Sequence, residues 1–246
     1  HYTMGLSVIA SHLYAGATIF LSGKSLADKA FWDIMKNERI TSFTGVPYSY
    51  EILQKLRFFK MDLPYLKIIT QGGGKLNSEL FKLCGEYAVN NNKKFIATYG
   101  QTEGTARMAY LEPEMALKKI GSIGKAIPNG QLSIIDDQGN ETIEGEAVGE
   151  MVYRGENVTL GYAICEEDLI KGDENEGKLH TGDIVRRDNE GYYFIIGRMK
   201  RFLKIFGLRI GLDEVEFLIK SNFETDCLCS GSDDMLKIMI TNEGLI

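Results

Sequence analysis

Residues 95–107 read FIATYGQTEGTAR. Phe95, Ile96 and Ala97 form a short apolar run of the kind that fills a buried strand. The run then breaks into Thr98, Tyr99, Gly100, Gln101, Thr102, Glu103 and Gly104, so that an aromatic, hydroxyls and a carboxylate meet around two glycines. Upstream, helix-like and strand-like patterns alternate. SLADKAFWDIMKNE (25–38) carries apolar residues at helical spacing, with Ser25 as the expected N-cap. ITSFTGVP (40–47) reads as a strand that stops at Gly45 and Pro47, YSYEILQKL (48–56) as a helix, and LKIITQGGG (66–74) as a strand running into glycines. NSELFKLCGEYAVNN (77–91) is helical again, and KFIATYG (94–100) is the strand of the opening stretch. Strands alternating with helices imply an α/β fold with a mostly parallel sheet and crossover helices. In such sheets ligands bind at the carboxyl ends of the strands, where QGGGK and YGQTEG both fall.

From about residue 113 the texture changes. Short apolar runs are separated by Pro-Asn-Gly, Asp-Asp-Gln-Gly-Asn and Glu-Gly turns, and Asp188-Asn189-Glu190-Gly191 reads as a hairpin turn. This predicts a small antiparallel β unit, a barrel or a sandwich. After Gly197 a basic hairpin precedes a helix from about Leu212, and the tail reads as two strands joined by Gly231 to Asp234. The expected organisation is therefore an α/β part over 1–112, a β-barrel-like part over 113–199 and the start of a small α+β domain over 200–246.

Composition narrows the function classes. The 246 residues are 44% hydrophobic and 25% charged, which suits a globular core. A formal charge of −6 and the lack of a Lys/Arg block argue against nucleic-acid and anionic-membrane partners. Cys84, Cys165, Cys227 and Cys229 are too few and too scattered for a disulfide framework, so a reducing cytosol is expected. Cys227 and Cys229 would share one face of a strand as buried thiols, the alternative being a metal or redox pair. Residues 1–23 contain no Asp, Glu, Lys or Arg, yet His1, Thr3, Ser7, Ser11, His12, Gly16 and Thr18 interrupt them. They read as a buried helix followed by a strand at Ala17 to Leu21, rather than as a membrane span or signal peptide. The first residue is not Met, which points to a segment starting inside a larger protein.

QGGGKLNS fails the P-loop pattern, because Ile69 stands where its first glycine belongs and Leu76 follows Lys75. Glycines after a strand still let a ligand approach the backbone closely. Taken in order, QGGGKL, YGQTEG, HTGDIVRRDNEGYY and IIGRMKRFLKIFGLRIGLDEVE resemble the adenylate-forming superfamily of acyl-CoA synthetases, luciferases and peptide-synthetase adenylation domains. HYTMGLSVIASHLYAGATIFL is similar to that family's preceding segment, so the resemblance spans essentially the whole chain.

The resemblance implies a role for each matching residue. Gly73 and Gly74 would line an adenine slot, with Tyr99 against the base and Gly100 beside it. Thr102 would donate its hydroxyl to a phosphate oxygen and Glu103 would hold Mg²⁺; the bland alternative is a solvated Thr-Glu pair in a loop. Asp183 would accept the ribose hydroxyls of ATP or AMP, or else be a turn aspartate. Arg198 would reach ribose or phosphate, or else be a surface cation. Lys200 occupies the family's hinge position, and Lys204 and Gly207 would lie in the hairpin that meets the pantetheine arm of coenzyme A or of an acyl carrier protein. A basic hairpin without that duty is the alternative for Lys204.

The family's Ser/Thr/Gly-rich phosphate loop and its C-terminal lysine have no counterpart in these residues. The 246-residue chain alone is therefore expected to be a poor enzyme or none. The implied activity is that of an ATP-dependent acid–thiol ligase acting on a small carboxylic acid, the alternative being an inactive nucleotide- or carrier-binding module. Amino-acid-activating members of the resembled family place an aspartate in this segment to pair with the α-ammonium group; HYTMGLS has no carboxylate, so the resemblance disfavours amino acids. Tyr2, beside His1, is either a gating residue or a packed aromatic, and residues 43–50 and 99–108 are the candidates for shaping the acid pocket.

Overall fold

The computed structural model describes residues 3–205, 208–223, 225–232 and 234–241. Helix α1 (Thr3–Tyr14) leads into residues 17–25, which have no regular structure. There follow α2 (Lys29–Asn37), β1 (Ser42–Gly45), α3 (Pro47–Lys55), β2 (Ile68–Gln71), α4 (Ser78–Asn90), β3 (Lys94–Tyr99), β4 (Ala109–Leu111) and β5 (Lys125–Ala126). The five strands form one sheet in the order β1-β2-β3-β4-β5. β1, β2 and β3 run parallel, with Ile69 between Phe43 and Phe95, whereas β4 and β5 add antiparallel. The predicted α/β alternation is thus present as a parallel core with an antiparallel edge, a common composition for a larger sheet.

Local chemistry explains the helix starts. Asn77 caps α4, its Oδ1 accepting the Leu80 N–H at 2.8 Å, and Pro47 opens α3, where its missing N–H costs nothing. Ser25 does not cap α2 as expected. Its Oγ accepts the Ala27 N–H while its own N–H donates to Asp28 Oδ2, a closed local turn that delays the helix to Lys29.

The first 23 residues depart furthest from expectation. α1 forms, but only Met4 is buried; Leu6, Leu13 and Tyr14 are exposed and no strand follows at Ala17 to Leu21. Apolar residues spread round the helix cannot all face one core, so whichever side packs leaves another uncovered. Among the described residues no helix is long and apolar enough to cross a membrane.

Two compact units are distinguished by their internal contacts: residues 1–132, 153–179 and 191–194, and residues 133–152, 180–190 and 195–246. The core of the first packs Tyr50, Leu53, Phe58, Ile69, Leu80 and Phe95, all essentially inaccessible to water, between the sheet and helices α3 and α4. Each such side chain contributes about 1.5–3 kcal/mol relative to exposure. Phe81 and Tyr50 meet the Phe95 ring edge-on, at 5.0 and 6.4 Å between centroids.

Cys84, wholly buried in this core, has its thiol pKa pushed far up by burial, while Cys165 is exposed. The thiolate is the reactive form. A maleimide is therefore expected to label Cys165 in the native protein and to leave Cys84 unmodified until denaturant is added. Peptide mapping after timed labelling checks this, and equal rates at the two sites would contradict it.

Most of a second sheet lies in the second unit. Its strands are β6 (Gln131–Ile135), β7 (Glu141–Thr142), β8 (Ala147–Arg154), β9 (Lys178–Arg187) and β10 (Tyr193–Arg198), in the order β10-β9-β8-β6-β7. The β6–β7 hairpin turns on Asp136, whose carboxylate accepts the N–H groups of Gln138 and Asn140. The expected turn at Asp188–Gly191 joins β9 to β10, with the Glu190 N–H on Asp188 Oδ1. The sheet is open: among the described residues it has distinct edge strands and does not close into a barrel. Then come β11 (Phe202–Ile205) paired antiparallel with β12 (Leu208–Gly211), α5 (Leu212–Phe223), and the hairpin of β13 (Cys227–Ser232) and β14 (Met235–Ile240). Leu203, Leu212 and Cys229 form the small core of this part. Cys229 is buried there, with its thiol pKa pushed up to about 11, while Cys227, two residues away on the same face, is half-buried.

Candidate active site

β2 and β3 are adjacent and parallel, so their carboxyl ends emerge side by side. Thr98 Oγ1 donates to the Gln71 carbonyl at 3.0 Å and ties the two ends together. The glycines that follow β2 are needed for close approach. A Cβ on Gly72 would lie 2.5 Å from Thr98 Oγ1, and Gly73 has φ +74°, where L side chains are strained. Gln71 Nε2 donates to the Gly74 carbonyl at 2.7 Å, which folds the glycine run back over its strand. Gly73 and Gly74 are exposed at that edge.

After β3 the chain makes a tight loop. The Gln101 N–H donates to the Thr105 carbonyl, the Gly104 N–H to the Gln101 carbonyl, and the Met108 N–H to the Tyr99 carbonyl at 2.7 Å. A Cβ on Gly100 would sit 2.2 Å from the Thr105 carbonyl oxygen and 2.3 Å from the Ala106 carbonyl carbon. Only glycine fits there. Tyr99 is buried, its phenol oxygen accepting from Gln101 Nε2 at 3.0 Å. Thr102, at the exposed tip, shares a 3.0 Å hydrogen bond with the Thr3 hydroxyl at the start of α1.

Glu103 is half-buried and held from a segment that no sequence motif singles out. The Thr159 N–H donates to its carbonyl at 2.7 Å, and the Tyr162 hydroxyl donates to its Oε1 at 2.5 Å. The bond to this carboxylate pushes the Tyr162 phenol pKa up from its ordinary value. Oε2 has no hydrogen-bond partner among the described residues. One carboxylate with a free oxygen suits Mg²⁺, which keeps most of its waters and is commonly held by one or two carboxylates together with substrate phosphates. No group of three or more candidate metal ligands occurs among the described residues.

The remaining expected residues lie in the second compact unit. Asp183, on β9, is almost wholly buried, and Arg198, at the end of β10, donates from Nε to Asp183 Oδ1 at 3.0 Å. The Arg198 side chain is 66% exposed. Two residues read separately from the sequence as nucleotide contacts thus form one ion pair. The stretch of β9 before Asp183 is held by Glu150, whose carboxylate meets His180 Nδ1 at 3.0 Å and accepts the Gly182 N–H. Thr181 donates its hydroxyl to the Met151 carbonyl at 2.6 Å. Lys200 lies in the 3-10 turn Met199–Arg201, and Lys204 in β11 opposite Arg209. Neighbouring Arg201 donates from Nη2 to Glu216 Oε1 at 2.5 Å and so anchors the turn to α5. Gly207, Tyr2 and His1 lie outside the described residues.

The glycine edge, the Thr-Glu loop and the helix α1 that meets it all fall in residues 1–163, which match the family described as AMP-binding enzyme. The chain belongs to the AMP-binding enzyme family. Among its relatives, an indoleacetate–CoA ligase of Aromatoleum aromaticum is 34% identical over 211 residues, 84% of this chain and 39% of that protein. A 2-succinylbenzoate–CoA ligase of Staphylococcus aureus is 31% identical over 237 residues, 95% of this chain and 45% of that protein. The O-succinylbenzoate coenzyme A synthetase of Bacillus subtilis, solved in complex with AMP, superposes with a TM-score of 0.79 at 23% identity over 98% of this chain and 49% of that one. The same synthetase has also been solved with ATP and magnesium ion. The mixed α/β fold is therefore that of this family, and the chain spans less than half the length of these relatives.

Proposed function

We propose that the protein is an ATP-dependent acid–thiol ligase. A substrate carboxylate oxygen attacks the α-phosphate of ATP, the bond to pyrophosphate breaks, and an acyl-adenylate forms. A thiol sulfur then attacks the acyl carbonyl, AMP leaves, and a thioester results. The observation that carries the reading is the loop after β3, which offers the Thr102 hydroxyl and the Glu103 carboxylate next to the glycine edge of β2.

The chemistry requires such groups because a carboxylate and a triphosphate repel each other, and charge builds as phosphorus becomes five-coordinate. Thr102 would exchange its bond to Thr3 for one to a phosphate oxygen. Glu103 would hold Mg²⁺ through its free oxygen, and the ion, when bound, supplies charge neutralisation at the phosphates. Gly73 and Gly74 would let adenine approach the backbone, with Tyr99 and Gly100 behind it. Asp183 would accept the ribose hydroxyls while Arg198 holds its orientation and contacts ribose or phosphate. The turn at Lys200 would serve as pivot for the part beyond it, bringing Lys204 and Gly207 towards the thiol arm. Coenzyme A is favoured over a carrier protein as acceptor, since the two curated relatives described above are named CoA ligases.

The test is ATP–pyrophosphate exchange by the complete protein with Mg²⁺ and a panel of fatty, aromatic and amino acids. Exchange that depends on one class of acid is expected. Nucleotide binding without exchange for any acid would replace the ligase reading with that of a binding module.

A further inference from the structure

We propose that Tyr162 is a positioning residue for Glu103, holding the carboxylate so that its free oxygen faces the metal that accompanies the nucleotide. The inference rests on the reading of Glu103 as a Mg²⁺ ligand.

Tyr162 is 59 residues from Glu103 in sequence, and nothing in TLGY marks it as part of a site. Its side chain is nonetheless delivered by a fixed segment. On one side the Thr159 N–H is bonded to the Glu103 carbonyl. On the other, Asn175 Nδ2 donates to the Thr159 carbonyl at 2.7 Å and the Glu174 N–H to the Leu160 carbonyl at 2.7 Å. Gly161 allows this, for its φ of +147° is a backbone conformation that side-chain-bearing residues rarely adopt.

Residues 159–162 therefore clasp Glu103 by backbone and by side chain together. The Tyr162 hydroxyl occupies Oε1, so the carboxylate cannot rotate without breaking a charge-assisted bond. A ligand held this way by an outer partner binds its metal more tightly than a freely rotating one.

The experiment compares Tyr162→Phe, Glu103→Gln and the double variant of the complete protein. The probe is Mn²⁺ titrated by electron paramagnetic resonance in the presence of α,β-methylene-ATP. Tyr162→Phe is expected to weaken Mn²⁺ binding about tenfold, the low end for loss of an outer-shell partner, because the ring is exposed. Binding of the nucleotide analogue without metal should not change, whereas a general loosening of the loop would weaken it. The double variant should bind Mn²⁺ no more weakly than Glu103→Gln, since the tyrosine acts only through that carboxylate.

Unchanged or tighter Mn²⁺ binding by Tyr162→Phe, alongside weakened binding by Glu103→Gln, would overturn the role of Tyr162 and leave the metal reading intact. Unchanged binding in both single variants would remove Glu103 as a metal ligand, and the inference with it.

Discussion

Replacing Glu103 with alanine is expected to lower acid-dependent ATP–pyrophosphate exchange by about 100- to 1,000-fold, the range seen when one preorganised charge-stabilising group is lost. The substitution removes the carboxylate but leaves the loop's frame in place. The bonds from Gln101 N–H to Thr105, from Met108 N–H to Tyr99 and from Thr159 N–H to the residue 103 carbonyl are all made by backbone. Thermal stability should therefore fall little, because the lost side-chain bond is to the exposed Tyr162. Exchange assays at several Mg²⁺ concentrations check the cause. If Glu103 holds the ion, part of the loss in Glu103→Gln should be recovered at high Mg²⁺, whereas a variant as active as the parent protein would remove Glu103 from the mechanism.

Gly100→Ala is expected to lower the melting temperature by about 6–12 °C and to abolish exchange. The added Cβ would fall 2.2 to 2.5 Å from the Thr105 and Ala106 backbone atoms, which belong to the loop that closes over it. No side chain can turn aside to relieve this contact. The loop must open, at the expense of the Gln101 and Met108 hydrogen bonds, with Thr102 and Glu103 displaced along with it. Overpacking of this kind costs about 3 kcal/mol, and each kcal/mol is worth about 2–4 °C in a domain of this size. Gly23→Ala is the control, since a Cβ there meets nothing within 4 Å and the backbone is not strained. Calorimetry on both variants decides the matter, and equal melting temperatures would show that the loop is not closed as described.

Much of the molecule was legible in the order of its residues. Apolar periodicity is a local property, so α3, α4, α5 and β1 to β3 fall where the pattern places them. The glycines after β2 and β3 mark strand ends because only there does the backbone need both sharp turning and close approach. Thr102 and Glu103 stand out because a strand has no structural use for them at its carboxyl end.

Other features depended on the path of the chain through space. The antiparallel addition of β4 and β5, and the open edges of the second sheet, are choices of strand partner, which side-chain alternation does not encode. Residues 3–14 have the composition of a buried helix yet leave Leu6, Leu13 and Tyr14 exposed, because burial depends on what packs against a helix as well as on its own composition. Ser25 looked like a cap, and a turn through Asp28 took its hydrogen bonds instead. The pairing of Arg198 with Asp183 and the clasp of Tyr162 on Glu103 bring together residues 15 and 59 positions apart. The sequence by itself determined the alternation of elements and the chemistry at the strand ends, since both follow from local spacing. Only the tertiary structure decided which distant groups hold those residues in place, since a hydrogen bond forms between atoms that the fold has brought within about 3 Å.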